Sequence, residues 1–535
     1  MSLPIINSKI ISKLIFGALA SSVFLSGAFI AKADEVKDHF DKGLKLYTEK
    51  KLDSSLSEFN LALKGSPKDP TILRWVGFLN LEKQNYEAAR SPLEQAVALE
   101  PKSVVAHLNL GNVYDGLKQY SKALGEFKEV TKLKPNSPDA YYNIGLLYSK
   151  VGKWNDAVDA LRTSAKLDEA SVKERNEKAV EKDRATQDPY TQDALGAALN
   201  GAGNSKEALA AYQKAVSIAP ANSAFNYHLA IAWLKMSDAK LTPLDTAVSN
   251  SKVAFKTSLD GSSAKYDLTE RYGEALFEKN ANEAAAEQFS NAVELDKTQF
   301  GAIYHLGLAK SRLGQYAKAE EAYNTASALL KSGDPKLRIS LLNNLSFVQF
   351  KQNKVDDALM NLKALTSEFP SETVAWVNLA SCYRSKSDEE GEMRALKGAI
   401  ENGNGYKNLG QIRAAMGSLL YRKKDFTGAF DQYAQANALQ PGKAEILNDL
   451  ALSEQQLGKI DDSIKHFLAA NKANPKFGDA FNNLGVAYET RFNTSMNQED
   501  IEKALSSYNK ALLAEPSNAL ARKNKERLES GRKKK

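Results

Sequence analysis

Apolar residues along this chain come in pairs of short helical stretches. Around Gly111, Leu110 and Tyr114 share one helix face, and Ala123, Phe127 and Val130 share the face of a second. The pattern breaks at Lys118-Gln119 and again at Pro135-Asn136. It predicts a helix-turn-helix whose second helix stops where proline lacks the N–H needed to continue it. Helices of about 12 to 14 residues, near 20 Å long, do not persist alone in water. Their apolar faces need neighbours, and the neighbours are further copies of the same unit.

A small residue sets the period: Gly43, Gly77, Gly111 and Gly145 are each 34 apart. Ala89, Ala123 and Ala157 follow the last three at a distance of twelve, and Pro67, Pro101 and Pro135 close the first three units. Continuing down the chain, the slot holds Gly196, Ala230, Gly273, Gly307, Ser346, Ala380, Gly417, Ala451 and Gly485, which makes thirteen units. Longer intervals of 51, 43, 39 and 37 residues mark insertions, after each of which the frame resumes. The glycine and the alanine belong where two helices cross closely, so a large side chain there would overpack the contact by about 1–3 kcal/mol. Tandem units of this length stack into a solenoid.

These residues resemble the tetratricopeptide repeat family. The motif stands as Leu110-Gly111-x-x-Tyr114, Ala123, Phe127 and Pro135 in one unit, and as Leu484-Gly485-x-x-Tyr488, Ala504, Tyr508, Ala511 and Pro516 in another. The resemblance covers nearly all of residues 36–516 and implies an all-α, right-handed superhelical solenoid with a protein-binding inner groove. Residues 34–165 then hold units one to four, 189–516 units five to thirteen, and 517–535 a basic capping helix and tail, with Leu520 and Leu528 as its apolar contacts. Between the two arms, residues 166–188 carry charges of mixed sign and read as a solvated extension of the preceding helix or as a hinge. Two units depart from the frame: Ala230 to Ala247 is seventeen residues and Gly485 to Ala504 nineteen, which predicts longer turns between their helices. The tenth has Glu392 where alanine belongs and reads as the weakest.

The ends differ from the body. Lys9 and Lys13 precede a neutral run from Leu14 to Ile30, followed by Ala31-Lys32-Ala33. This is the pattern of a secretory signal peptide over residues 1–33, with an uncleaved membrane anchor as the alternative. Export to a periplasmic or extracellular space is expected under either. The single cysteine, Cys382, permits no internal disulfide and reads as a small buried side chain. Most of the net charge of +7 belongs to the ends: Arg522 to Lys535 carry +6, and residues 34–521 sum to about −2. A near-neutral body without a basic stripe argues against nucleic-acid binding. The basic tail could touch an anionic membrane or polymer.

The residue two before each small one lies on the first helix, toward the inner curve. Asn109, Asn143, His228, Arg271, His305, Asn344, Asn378, Asp449 and Asn483 occupy it, and Asn112 adds to the row. Asparagine offers a donor and an acceptor, which suits the main chain of an extended peptide. Tyr141, Tyr142, Tyr227, Tyr304, Trp376 and Phe481 stand beside the row. Some relatives look like clamps for a carboxy-terminal carboxylate; Asn112 and Asn143 match two places, but Leu108, Tyr190 and Ala194 replace the cations, so that reading is rejected. The five histidines lie in separate units, no phosphate loop or nucleophile elbow occurs, and no metal or cofactor site is expected. A non-enzymatic scaffold for a protein or peptide partner is the expectation. The alternative is a structural part of a cell-envelope assembly such as polysaccharide export or secretion machinery.

Overall fold

A computed structural model describes residues 27–177, 186–330 and 334–533. Among them are 27 α-helices and no strand. The chain divides into two compact units between Ala281 and Asn282.

The first unit holds α1 (Gly27–Thr48), α2 (Leu52–Gly65), α3 (Pro70–Glu82), α4 (Tyr86–Leu99), α5 (Val104–Gly116) and α6 (Tyr120–Leu133). It continues with α7 (Pro138–Lys150), α8 (Trp154–Glu177), α9 (Pro189–Gly201), α10 (Ser205–Ile218), α11 (Ser223–Asp238), α12 (Leu244–Asp260) and α13 (Lys265–Glu278). The second begins with α14 (Asn282–Leu295), α15 (Phe300–Arg312), α16 (Tyr316–Leu329), α17 (Pro335–Lys351), α18 (Val355–Glu368), α19 (Thr373–Ser385) and α20 (Glu389–Glu401). It ends with α21 (Leu409–Arg422), α22 (Phe426–Leu439), α23 (Ala444–Gln456), α24 (Ile460–Ala473), α25 (Gly478–Ser495), α26 (Gln498–Ala514) and α27 (Ala519–Lys533). No described helix is long and apolar enough to cross a membrane. Residues 1–26, most of the expected leader, lie outside the described residues.

Within each unit, odd-numbered helices open a hairpin and the even-numbered ones that follow close it, as α3 and α4 or α15 and α16 do. In the unlengthened hairpins three residues join the two, and one of them, seven after the small residue, takes a left-handed backbone: Gln84, Lys118, Asn353, Ser387 and Lys424 do so, as do Gly152, Gly203, Gly314 and Gly458. Asp-Pro pairs start α3, α9 and α17: Asp69, Asp188 and Asp334 accept backbone N–H groups of the first turn, and the proline fills a position whose N–H would have no partner. First helices of successive hairpins touch, as α3 does α5, α7 does α9, and α17 does α19. No two second helices pack comparably among the described residues, so the first helices line the inner edge in each unit.

The small residue does what its period implies. A methyl group on Gly111 would lie 2.5 Å from the ring of Phe127, and one on Gly77 2.3 Å from Leu93. Gly145 meets Leu161, Gly196 meets Tyr212, Gly307 meets Tyr323 and Gly417 meets Tyr433 in the same way, each sixteen residues on. The facing side chains are buried, Phe127 and Tyr323 almost wholly so.

Three local expectations change. The longer interval after Gly485 does not lengthen a turn: α25 and α26 themselves grow, and only Met496 and Asn497 separate them. Helix continuation satisfies backbone groups that a longer loop would leave to water. In the Ala230 hairpin the extra residues divide between α11 and the 239–243 turn. Glu392, in the alanine position of the tenth unit, is held by charge. It is buried between two guanidinium groups, with Arg384 Nε 2.5 Å and Arg422 Nη2 2.7 Å away. Leu520 is 63% exposed, and Ala521 and Leu528 make the cap's contacts instead.

At the main insertion, α8 runs on to Glu177 with Val172 buried. The backbone N–H of Asp188 donates to Asp168 at 2.7 Å, and α9 packs on both α7 and α8. Stacking therefore continues across this stretch, whose residues 178–185 lie outside the described residues, and the boundary between compact units falls elsewhere.

If the crossing sets the fit, Gly307→Ala lowers the local opening free energy of α15 and α16 by about 1–3 kcal/mol. Native-state hydrogen exchange reads this directly; unchanged protection of those amides would contradict it.

Candidate functional site

The slot two residues before each small one is built on the middle of the first helix, where its neighbours are the first helices of adjoining hairpins. Most of its polar members are tied to those neighbours. Asn378 Nδ2 donates to Asn343 at 3.3 Å, Asn483 Nδ2 to Asn448 at 3.0 Å, and His228 Nδ1 lies 2.7 Å from Asp193. Each partner is 35 residues earlier and immediately precedes the slot of its own hairpin. The cap continues the arrangement, Asn524 donating to Asn482 at 3.0 Å, so α27 stands where another first helix would. The result is a polar ladder between first helices.

The remaining site residues fit the ladder or leave it for identifiable reasons. Asn143 has Leu108 at the partner position and turns to Asn112, at 3.5 Å. Asn344 donates to the Tyr304 hydroxyl at 2.8 Å. Asp449 accepts from Asn448 at 3.1 Å, and burial pushes its carboxyl up from the usual range. Asn109 is buried and does not present itself to a ligand. Arg271 lies exposed with its guanidinium 5.8 Å over the Tyr227 ring. His305 is half-buried, 5.3 Å from the Phe289 ring. The residue before the slot, Asp193, Asn343, Asn448 or Asn482, was absent from the sequence expectation. Its signal is a polar pair 35 residues apart, one longer than the repeat.

A second ladder runs along the hairpin turns. Lys386 reaches Asp356 at 2.5 Å and Arg491 reaches Asp461 at 2.8 Å, in each case 30 residues back, and Lys83 pairs with Asp53 in the same register. Lys83 and Lys386 directly follow the end of a first helix and all three carboxylates stand in the first turn of a second, which agrees with the helix dipoles. Exposed pairs of this kind add about 0–1 kcal/mol each and fix register more than stability.

Titratable groups serve packing. His39 pairs with Glu58 and His107 with Glu126, both at 2.6 Å, and His466 with Glu454 at 2.8 Å, each within a hairpin. Cys382 is buried, and desolvation pushes its thiol up to about 11, which keeps it from acting as a thiolate nucleophile. In the tail, Arg522 donates to the Pro516 carbonyl at 2.8 Å, Lys525 lies 3.8 Å from Glu529, and Arg527 lies 2.9 Å from Glu489. These cations are engaged by the protein's own groups, on the cap and on α25 beneath it.

The hydrogen bond to Glu454 raises the His466 pKa above its ordinary 6.5. The pair's contribution is therefore complete below pH 6.5 and declines as pH rises through the higher folded value. Thermal melting at pH 6 and pH 8 should show a smaller loss on the alkaline side for His466→Gln than for the parent; equal losses would show that this pair does not titrate with folding.

Profiles of the tetratricopeptide repeat match residues 138–171, 192–222, 300–329 and 448–494, and a TPR repeat profile matches 116–152. Among curated proteins, small glutamine-rich tetratricopeptide repeat-containing protein 2 of Mycosarcoma maydis is 32% identical over 22% of this chain and 32% of its own length. The chloroplastic tetratricopeptide repeat domain-containing protein PYG7 of Arabidopsis thaliana is 30% identical over 21% of this chain and 36% of its own. The chain thus spans about a third of the length of these relatives. Among solved structures, yeast Tom70 aligns over 86% of this chain and 97% of its own, with 17% identity and a TM-score of 0.33. A thermophilic TPR protein of Thermus thermophilus aligns over 37% of this chain and 99% of its own, with 23% identity and a TM-score of 0.30.

Proposed function

Because this chain is a tetratricopeptide-repeat protein, we propose that it is an exported, non-enzymatic scaffold that holds an extended segment of a partner protein along the first helices of its hairpins. The observation that carries this reading is the ladder. It fixes the asparagine side chains before any partner arrives, so little side-chain entropy remains to be lost on binding. Each ladder bond from Asn344 or Asn378 takes one amide proton and leaves the other N–H and the carbonyl oxygen, a donor and an acceptor for a peptide main chain. Half-buried side chains are also partly desolvated, which strengthens the hydrogen bonds they make.

Export is supported by the basic start, neutral run and small-residue end of residues 1–33. Outside the cytoplasm the partner is an envelope or secreted protein, and the scaffold either acts alone or as one part of an envelope assembly.

The test is capture. In the native envelope, the Asn344→Ala/Asn378→Ala/Asn483→Ala variant should lose about tenfold of the partner recovered by crosslinking, the scale of one or two buried hydrogen bonds, while circular dichroism stays unchanged. Full recovery by a folded variant would reject the groove, and a protein found wholly in the cytoplasm would reject export.

A further inference from the structure

Charge is uneven along the second unit. From α17 to the turn after α21, residues 335–424 hold fourteen Lys or Arg against nine Asp or Glu, a net +5 in a body that sums to about −2. Three successive first helices there carry a cation in the last turn: Lys351 on α17, Arg384 on α19 and Arg422 on α21. Helix ends attract cations, which explains their place but supplies no partner for them. The cations that directly follow α19 and α21 are matched, Lys386 by Asp356 and Lys423 by Glu390 at 2.7 Å.

The other three are undersupplied. Arg384 and Arg422 share a single carboxylate, Glu392, which is 1% exposed while their own side chains stay 47% and 42% exposed. One positive charge of that trio is left over. Lys351 has no carboxylate at ion-pair distance among the described residues. In an earlier hairpin Lys150, five residues after Gly145, meets Asp115 at 2.6 Å. Lys351 stands likewise five after Ser346, but the place of Asp115, four after the preceding glycine, holds Ser311. Lys351 Nζ lies instead 5.5 Å over the ring of Phe347, one turn earlier on α17. Asn343, Phe347 and Lys351 follow at intervals of four and so share one helix face with the ladder. The Phe347 ring is 43% exposed, an apolar contact beside the surplus cations.

We propose that the ends of α17, α19 and α21 dock an acidic segment of a partner protein, its carboxylates on Lys351, Arg384 and Arg422 and an apolar side chain on Phe347. This rests on the scaffold reading above and names the chemistry of the partner. Guanidinium groups that already give one N–H to Glu392 keep others for a second carboxylate. Packed helices lie about 8–10 Å apart and an extended chain rises about 3.3 Å per residue, so one carboxylate about every third residue matches the hairpins.

The test uses the full chain and a fluorescein-labelled, carboxy-amidated nonapeptide, Glu-Leu-Ala repeated three times, with Lys-Leu-Ala as its counterpart. Fluorescence anisotropy should show binding of the glutamate peptide alone, weakened about tenfold in Lys351→Glu, where a like charge replaces an attractive one. Glu392→Ala, which puts the repeat's own alanine in place and frees both guanidiniums, should tighten binding about threefold, the scale of one exposed ion pair. Equal binding of the two peptides, or unchanged affinity in Lys351→Glu as binding to the basic tail would give, would overturn the proposal. So would preferential binding of labelled polyglucuronate, which would make the occupant an anionic polysaccharide. Should Glu392→Ala unfold the unit, Lys351→Glu decides alone, because Lys351 has no ion pair to lose. Asn344→Ala/Asn378→Ala/Asn483→Ala should leave the glutamate peptide bound as in the parent whatever it does to partner capture, so the two readings fail separately; loss of the peptide in that variant would place it on the ladder and contradict the proposal.

Discussion

Everything in this structure depends on how closely the two helices of a hairpin cross. The crossing is set by a residue without a side chain, against which a large apolar residue sixteen positions later packs closely, as Phe127 does on Gly111 and Tyr323 on Gly307. Neither helix would be stable alone, so the close crossing is what turns two marginal helices into one packed unit. That unit then offers its first helix to the next. Where the small residue is Ser346, its hydroxyl returns to the Leu342 carbonyl at 2.7 Å.

The crossing constrains only the hairpin; the relation between hairpins needs its own devices. Two polar ladders supply it, one along the inner edge through pairs such as Asn378 with Asn343, and one along the turns through pairs such as Lys386 with Asp356. Apolar stacking alone is tolerant of sliding, because Leu and Ala surfaces match in more than one register. A hydrogen bond between half-buried amides is not, since a slip leaves a desolvated group without a partner at a cost of about 1–3 kcal/mol. Glu392, taking both Arg384 and Arg422, shows the same logic with charge: a carboxylate in the alanine position is retained because each of its oxygens has a guanidinium.

Much of this was legible in the sequence and some of it was not, for physical reasons. The crossing was legible because a glycine at a fixed interval has few explanations other than close approach, and the thirteen hairpins follow from it. The length of α25 was not, because spacing between two marker residues does not say whether added residues extend a helix or a loop, and backbone hydrogen bonding decides for the helix. The slot holding Asn143, Asn344 and Asn378 was legible as a row; its partners were not, because reading one column at a time hides a bond between column and neighbour 35 residues apart. Asn109 was expected in the groove and is buried, since polarity does not reveal how tightly adjoining first helices close over a position.

The central claim is that the glycine and the ring beneath it act as one fitted pair. A double-mutant cycle on Gly111→Ala and Phe127→Ala, read by hydrogen exchange of the α5 and α6 amides, tests it most directly. The account predicts a coupling of about 1 kcal/mol or more, because a methyl group costs little once the ring it would strike is gone. Strictly additive losses would show that the two residues contribute independently, and the crossing would then not be what the fold depends on.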